Sequence, residues 1–197
     1  MTVIRGYGHL LKSPRFLGYA IGGGCATTSL YAFVGAAPYI FVDQLGVPAH
    51  AVGFYLALNL LGMWLGSLTA SRLIGKVPLA RLMVFGNLLS CAAAAAFLGS
   101  VLTGALSVPV TVLSLLVLTY GGGIASPTAL AQALSVDPLI AGSASGLYGF
   151  AQMVIGALCA SLAGIGGDPA SAAGITLLGA GLVAQLSFRM ARDAGPR

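Results

Sequence analysis

The sequence predicts an all-α integral membrane protein with six transmembrane helices. Three observations carry that expectation. Charged residues are 7% of the chain and hydrophobic residues 58%, and Glu is absent. A water-soluble domain carries about 25% charged residues, because a folded surface needs polar groups to meet water. The apolar residues fall in six runs, each near the ~20 residues that cross a bilayer. All nine Lys and Arg residues fall in three short clusters.

Taken in order, the first run covers 16–42 and carries no charge. The second covers 49–68, the third 79–101, the fourth 107–131, the fifth 139–165 and the sixth 171–188. None alternates polar with apolar residues, as a membrane strand would. The connections have turn chemistry: DQLGVP at 43–48, RLIGKVP at 72–78, TGALSVP at 103–109, SVDP at 135–138 and GIGGDP at 164–169. Gly and Pro punctuate helix ends for steric reasons. Three segments result: a cytoplasmic N-terminal segment 1–15, a bundle 16–190 and a cytoplasmic tail 191–197. The basic residues 1–15 lead into an apolar run too long for a signal-peptide core of about 7–15 residues.

Six spans put the cation clusters on one side. Arg5, Lys12 and Arg15 precede the first span; Arg72, Lys76 and Arg81 surround the second connection; Arg189, Arg192 and Arg197 end the chain. Asp43 and Asp168 fall on the other side. Cationic loops stay in the cytoplasm, so both termini are expected there, in a cell (inner) membrane. The basic charge thus reads as topology and not as a nucleic-acid footprint. Cys25, Cys91 and Cys159 lie singly in apolar runs, with no CxxC or nearby His, and suggest neither a disulfide framework nor a metal site.

The first and fourth spans share a pattern. Gly22–Gly24 is followed by Pro38, and Gly121–Gly123 by Pro127. These spans open two consecutive three-helix sets, and an odd number of spans inverts the second set relative to the first. Gly/Pro-interrupted helices at matching positions of inverted repeats point to a transport path. Gly23, Pro38, Gly122 and Pro127 are therefore helix-break candidates.

Polar groups at bilayer depth face a partner or a wet cavity. Tyr31, Asn59, Tyr120 and Gln152 all lie within roughly 5 Å of their span midpoints, counting 1.5 Å per residue. They are substrate-cavity candidates, since aromatic faces with a few amides suit bulky amphipathic molecules. The competing reading is interhelical hydrogen bonding, which is favoured for Asn87. Gly18/Gly22, Gly62/Gly66 and Gly142/Gly146 have the spacing of close helix approach. No span holds an acid, so a proton-coupling group has to come from a partner or from the rim residues Asp43 and His50.

An enzyme is not expected. Ser143 and Ser145 sit in GSASG, but His9 and His50 are placed outside the spans, and a Ser without a base is not activated. No phosphate-binding loop, dinucleotide fingerprint or HExxH occurs, and no cofactor is indicated.

Four stretches give the chain a family likeness: RFLGYA at 15–20, YAFVGAAPYIF at 31–41, GFYLALNLLGMWLGS at 53–67, and SPTALAQAL at 126–134 followed by AGSASGLYGFAQ at 141–152. Over nearly all of 14–190 the chain resembles the C-terminal six-helix half of the major facilitator superfamily, in particular the bicyclomycin-resistance (Bcr/CflA-type) drug:proton antiporters. The resemblance implies two inverted three-helix repeats, half of a major facilitator fold, with the first and fourth helices lining a central cavity and the third and sixth outside. It makes Gly66, Arg72, Lys76 and Arg81 gating-loop candidates, although Ala70 stands where a polar residue is usual. It implies multidrug efflux, proton-coupled when the chain is assembled with a second six-helix bundle, either a separate N-terminal half or a second copy. The expected partners are the lipid bilayer, that second bundle and a small drug-like substrate, with no nucleic acid. The alternative is a non-transporting membrane subunit, a scaffold or a gene remnant.

Overall fold

The computed structural model describes residues 3–165 and 167–194; Arg197 lies outside them. Among the described residues the only secondary structure beyond one isolated bridge is helical. Helices α1 (Val3–Leu11), α2 (Pro14–Thr28), α3 (Leu30–Pro38), α4 (Ala49–Leu73), α5 (Leu79–Leu102), α6 (Val108–Leu134), α7 (Ala141–Ala163) and α8 (Pro169–Asp193) follow in order. A π-helical turn, Tyr39–Gln44, extends α3, and a 3₁₀ turn, Pro138–Ile140, leads into α7. Six stretches are long and apolar enough to cross a membrane: Pro14–Gln44, Ala49–Leu73, Leu79–Leu102, Val108–Leu134, Pro138–Ala163 and Pro169–Asp193.

These spans match the six apolar runs, but the second and sixth continue further toward the cationic end. Helical hydrogen bonding does not stop where apolar residues stop. Arg72 is exposed in the last turn of α4, and Arg192 lies in the last turn of α8. Cations are favourable at a helix C-terminus, and their apolar stems reach along the helix to water.

The segment before the first span holds a short helix where only a basic lead-in was expected. Helix α1 is amphipathic: Leu10 is buried in the bundle, while Gly8, His9 and Leu11 are exposed. It packs on α2 and α7. Ser13 then caps α2, its Oγ accepting from the Phe16 N–H at 3.3 Å, with Pro14 at the first helical position.

The spans interlock symmetrically. The first packs on the fifth and sixth as the fourth packs on the second and third; the first also touches the fourth, and the third the sixth. Advancing each member of this map by three spans returns the same map, as two related three-helix sets require; spans five and six also touch, which spans two and three do at most weakly. Spans one and four form the centre, three and six lie behind, and two and five flank. Small residues set these contacts in both sets. A Cβ at Gly86 would lie 2.7 Å from the Gly121 carbonyl oxygen, and one at Gly18 would lie 2.7 Å from that of Ser187. Packing between small residues replaces the hydrophobic effect, which vanishes in hydrocarbon.

The two ends of the bundle have separate cores. Toward the end opposite the cations, Phe33 meets Phe41 and Phe97 edge-to-face, at centroid distances of 6.1 and 5.7 Å, and Tyr55 stacks on Phe41 at 5.2 Å. Toward the cationic end, Phe16, Tyr19, Met83, Tyr148 and Phe188 are buried among alanines.

Candidate functional site

Span one loses its α-helical hydrogen bonding at one residue, Ser29, and not at Gly23; Ser29 keeps helical dihedrals (φ −56°, ψ −26°). Helix α2 ends at Thr28 and α3 starts at Leu30. Thr27 Oγ1 donates to the Gly23 carbonyl at 2.7 Å, and Thr28 Oγ1 to that of Gly24 at 2.8 Å. Hydroxyls bonding back to the i−4 carbonyl bend helices. Gly23 has a different role: a Cβ there would fall on the Tyr148 hydroxyl of α7 and lie 3.0 Å from Ala129 of α6. Spans one, four and five therefore meet at this glycine. Pro38 ends α3 with helical dihedrals, and the π-helical turn follows it. Leu45 N–H reaches the Ile40 carbonyl (3.1 Å) and Val47 N–H that of Phe41 (2.8 Å), one and two residues beyond the α-helical partner.

Span four is not interrupted at either of its candidates; α6 runs as one helix through Gly122 and Pro127. Pro127 cannot donate to the Gly123 carbonyl four residues back. Ser67 of α4 does so instead, its Oγ donating to Gly123 O at 3.2 Å. The helix tolerates its proline because a neighbouring span supplies the missing donor. Gly122 lies against span one, with its Cβ position 3.2 Å from the Ala26 carbonyl oxygen.

The cavity candidates occupy three seams. Tyr31 is 44% exposed, and its ring covers Gly156 of α7. Gln152, one helical turn earlier on α7, backs onto Gly24. These two share the seam between spans one and five. Asn59 is buried on α4, its Nδ2 donating to the Tyr55 carbonyl at 3.0 Å. It faces a groove of about 400 Å³ between spans one and two. Tyr120 lies between spans two and four, its hydroxyl donating to Thr69 Oγ1 at 3.1 Å.

Gly66 is in the body of α4, not in the connection. A Cβ there would fall on the Tyr120 carbonyl oxygen, and Gly123 lies against the same point. Arg72, Lys76 and Arg81 are exposed around the tight turn at 74–78, where Gly75 has φ +88°. Asn87 ties span three to span six: its Nδ2 donates to Gly181 O (3.0 Å) and to Gln185 Oε1 (2.8 Å).

At the end opposite the cations, Asp168 caps α8, accepting from the Ala170 and Ser171 N–H groups at 3.2 Å each and from the Ser171 hydroxyl. Gln44 Nε2, from the π-helical turn, also donates to it at 3.2 Å, fastening the end of span one to the start of span six. The Ser171 hydroxyl first, with the backbone donors and Gln44, holds the Asp168 carboxyl below its ordinary value. The stabilisation is present above the unfolded Asp value, about 3.9, and is lost as pH falls through the lower folded value. Asp168→Asn should therefore flatten the decline in thermal stability on acidification from about pH 5 to pH 3. An unchanged decline would show that this cap is not the titrating group.

No family model matches the chain. It is 28% identical over 165 residues to a bicyclomycin resistance protein homolog of Haemophilus influenzae, covering 81% of this chain and 40% of the relative. It is 26% identical over 188 residues to the uncharacterized MFS-type transporter YdgK of Bacillus subtilis, covering 95% and 46%. The multidrug transporter MdfA of Edwardsiella piscicida is 36% identical over 81 residues, which is 41% of this chain and 20% of that protein. The chain thus spans less than half the length of these relatives. The six-span bundle of two matching three-helix sets fits half of a major facilitator fold, and the relatives it matches along most of its length are named as a bicyclomycin resistance protein homolog and an MFS-type transporter.

Proposed function

We propose that the chain is the C-terminal bundle of a proton-coupled drug-efflux transporter that works against a second six-span bundle. The uneven covering of the spans carries this reading. In spans two and five only 22% of the most apolar window is buried, against 44–56% in the other four. These flanking spans leave two broad faces uncovered on either side of the central pair. A second bundle, either a separate N-terminal half or another copy, would close over them and enclose the candidates Tyr31, Asn59, Tyr120 and Gln152. Alternating access then rocks one bundle against the other. The relatives named for bicyclomycin resistance and multidrug transport support small amphipathic substrates.

In this reading the cationic end is cytoplasmic, in the inner membrane. Arg72, Lys76 and Arg81 form the gating connection, and Gly66 sets how closely span two can approach span four behind it. The carboxylates within the six spans, Asp43 and Asp193, lie at span ends and not at the level of the cavity candidates. The coupling acid belongs to the second bundle. Inverted vesicles containing the chain with a second six-span bundle should accumulate ethidium when a proton gradient is imposed and release it on adding a protonophore. Proton-dependent uptake by the monomeric chain alone, or none with either type of second bundle, would contradict the reading.

A further inference from the structure

The groove between spans one and two has walls of Leu30 and Val34 from α3 and Leu56 and Leu60 from α4, with Gly53 at one edge. Its ~400 Å³ lies within the range that holds drug-sized molecules. None of its lining residues is charged. Asn59 is the single polar residue among them and is only 3% exposed.

The hydrogen bonding of Asn59 is lopsided. Its Nδ2 donates to the Tyr55 carbonyl, while its Oδ1 has no donor. The assignment cannot be reversed, because a carbonyl accepts and does not donate. An amide oxygen buried without a partner costs free energy, most of all away from water. What would relieve that cost is an N–H or O–H group, delivered by something that fits apolar walls.

We infer that this groove is a subsite for neutral amphiphiles, which place an aromatic or aliphatic body against Leu56 and Leu60 and donate one N–H or O–H hydrogen bond to Asn59 Oδ1. The inference rests on the reading that this groove lies on the substrate path. A permanent cation is disfavoured here, because nothing in the lining offsets the loss of its hydration. Oδ1 itself is closed off from the groove, so a ligand lodged against the two leucines has to turn the amide, at the expense of its bond to the Tyr55 carbonyl, to reach it. Gly53 has nothing within 4 Å of its Cβ position, so space remains at the groove's edge.

The chain carries its own reporter. Trp64 is its single tryptophan, is exposed, and lies five residues beyond Asn59 on α4, about 7.5 Å along the helix. Two probes separate apolar fit from hydrogen bonding: 1-naphthol, and 1-methoxynaphthalene, which keeps the rings but has no donor. With the full chain in lipid nanodiscs, 1-naphthol should quench Trp64 with about five-fold tighter affinity than its ether, the worth of one net hydrogen bond. Asn59→Leu should erase that ratio while both probes still bind. Gly53→Leu, which fills the groove without touching Asn59, should weaken both probes together. Equal affinities in the unmodified chain, or a ratio that survives Asn59→Leu, would overturn the donor assignment and leave the groove on the substrate path. No saturable quenching by either probe would overturn both. If Asn59→Leu does not fold, the ratio in the unmodified chain and the response of Gly53→Leu still decide.

Discussion

Gly66→Ala should be the most damaging single methyl addition in the bundle, destabilising it by about 1–3 kcal/mol or more. Alanine is the better helix former by roughly 0.5–1 kcal/mol, so propensity alone predicts the opposite sign. What decides is the obstacle. The new methyl would fall on the Tyr120 carbonyl oxygen, with the Tyr120 carbonyl carbon at 3.0 Å and Gly123 Cα at 3.1 Å. All three are backbone atoms of α6, so no rotamer change relieves the contact; the two helices must separate. Separation also stretches the Ser67 bond to Gly123 O, which lets α6 pass through Pro127 unbroken. Gly99→Ala in α5 is the matched comparison, because nothing lies within 4 Å of its Cβ position. That variant should be neutral or slightly more stable. Thermal unfolding in detergent checks both, and equal midpoints for the two variants would show that spans two and four do not touch at Gly66.

The second large effect is expected at Asn87. It is fully buried, and its amide joins span three to span six through the Gly181 carbonyl and Gln185. Asn87→Leu leaves the Gln185 side chain, itself 7% exposed, without its donor. The expected loss is about 1–2 kcal/mol, toward the upper end for a hydrogen bond between membrane helices. Gln185→Leu should cost a similar amount. The double variant Asn87→Leu/Gln185→Leu should recover most of the loss, because replacing both partners removes the unsatisfied group instead of creating one. Unfolding of the three variants in mixed lipid–detergent micelles measures the coupling. Strict additivity would mean that the two side chains act independently.

The six spans were legible because hydrocarbon imposes so coarse a requirement: about 20 residues with few charges leave little room for another reading. Small-residue spacing was legible in part: Gly18, Gly22, Gly62 and Gly66 lie at close helix contacts, whereas Gly142 has nothing within 4 Å of its Cβ position and Gly146 meets only the Tyr7 hydroxyl at 3.5 Å, so the third pair is not a close approach. Interruptions were harder to read. Gly and Pro mark where a helix can break, but the hydrogen-bond ladder of span one slips at Ser29, just after two threonine hydroxyls that bond backward, while α6 stays whole because Ser67 compensates for Pro127. Two adjacent threonines four residues after Gly23 and Gly24 are the local signal that marks the first; the second depends on a residue 56 positions away. The Gln44–Asp168 tie spans 124 positions and has no local signature at all. Helix α1 was hidden by its composition. Two glycines weaken its propensity, and burial of Leu10 against the bundle supplies the missing stability. Depth along a span could be counted at 1.5 Å per residue, but direction around it could not. Tyr31, Asn59, Tyr120 and Gln152 were accordingly grouped by level, and the packing distributes them over three seams.

Cysteines placed singly at Lys76 and at Thr103 give the sharpest test of the topology. Both positions are exposed in connections at opposite ends of the bundle, while Cys25, Cys91 and Cys159 are buried. A maleimide that cannot cross membranes should label the cysteine at 103 in intact cells, and the one at 76 only after the membrane is opened. Labelling of both from the same side would contradict the six-span arrangement, and labelling of 76 alone from outside would place the cationic end on the wrong face.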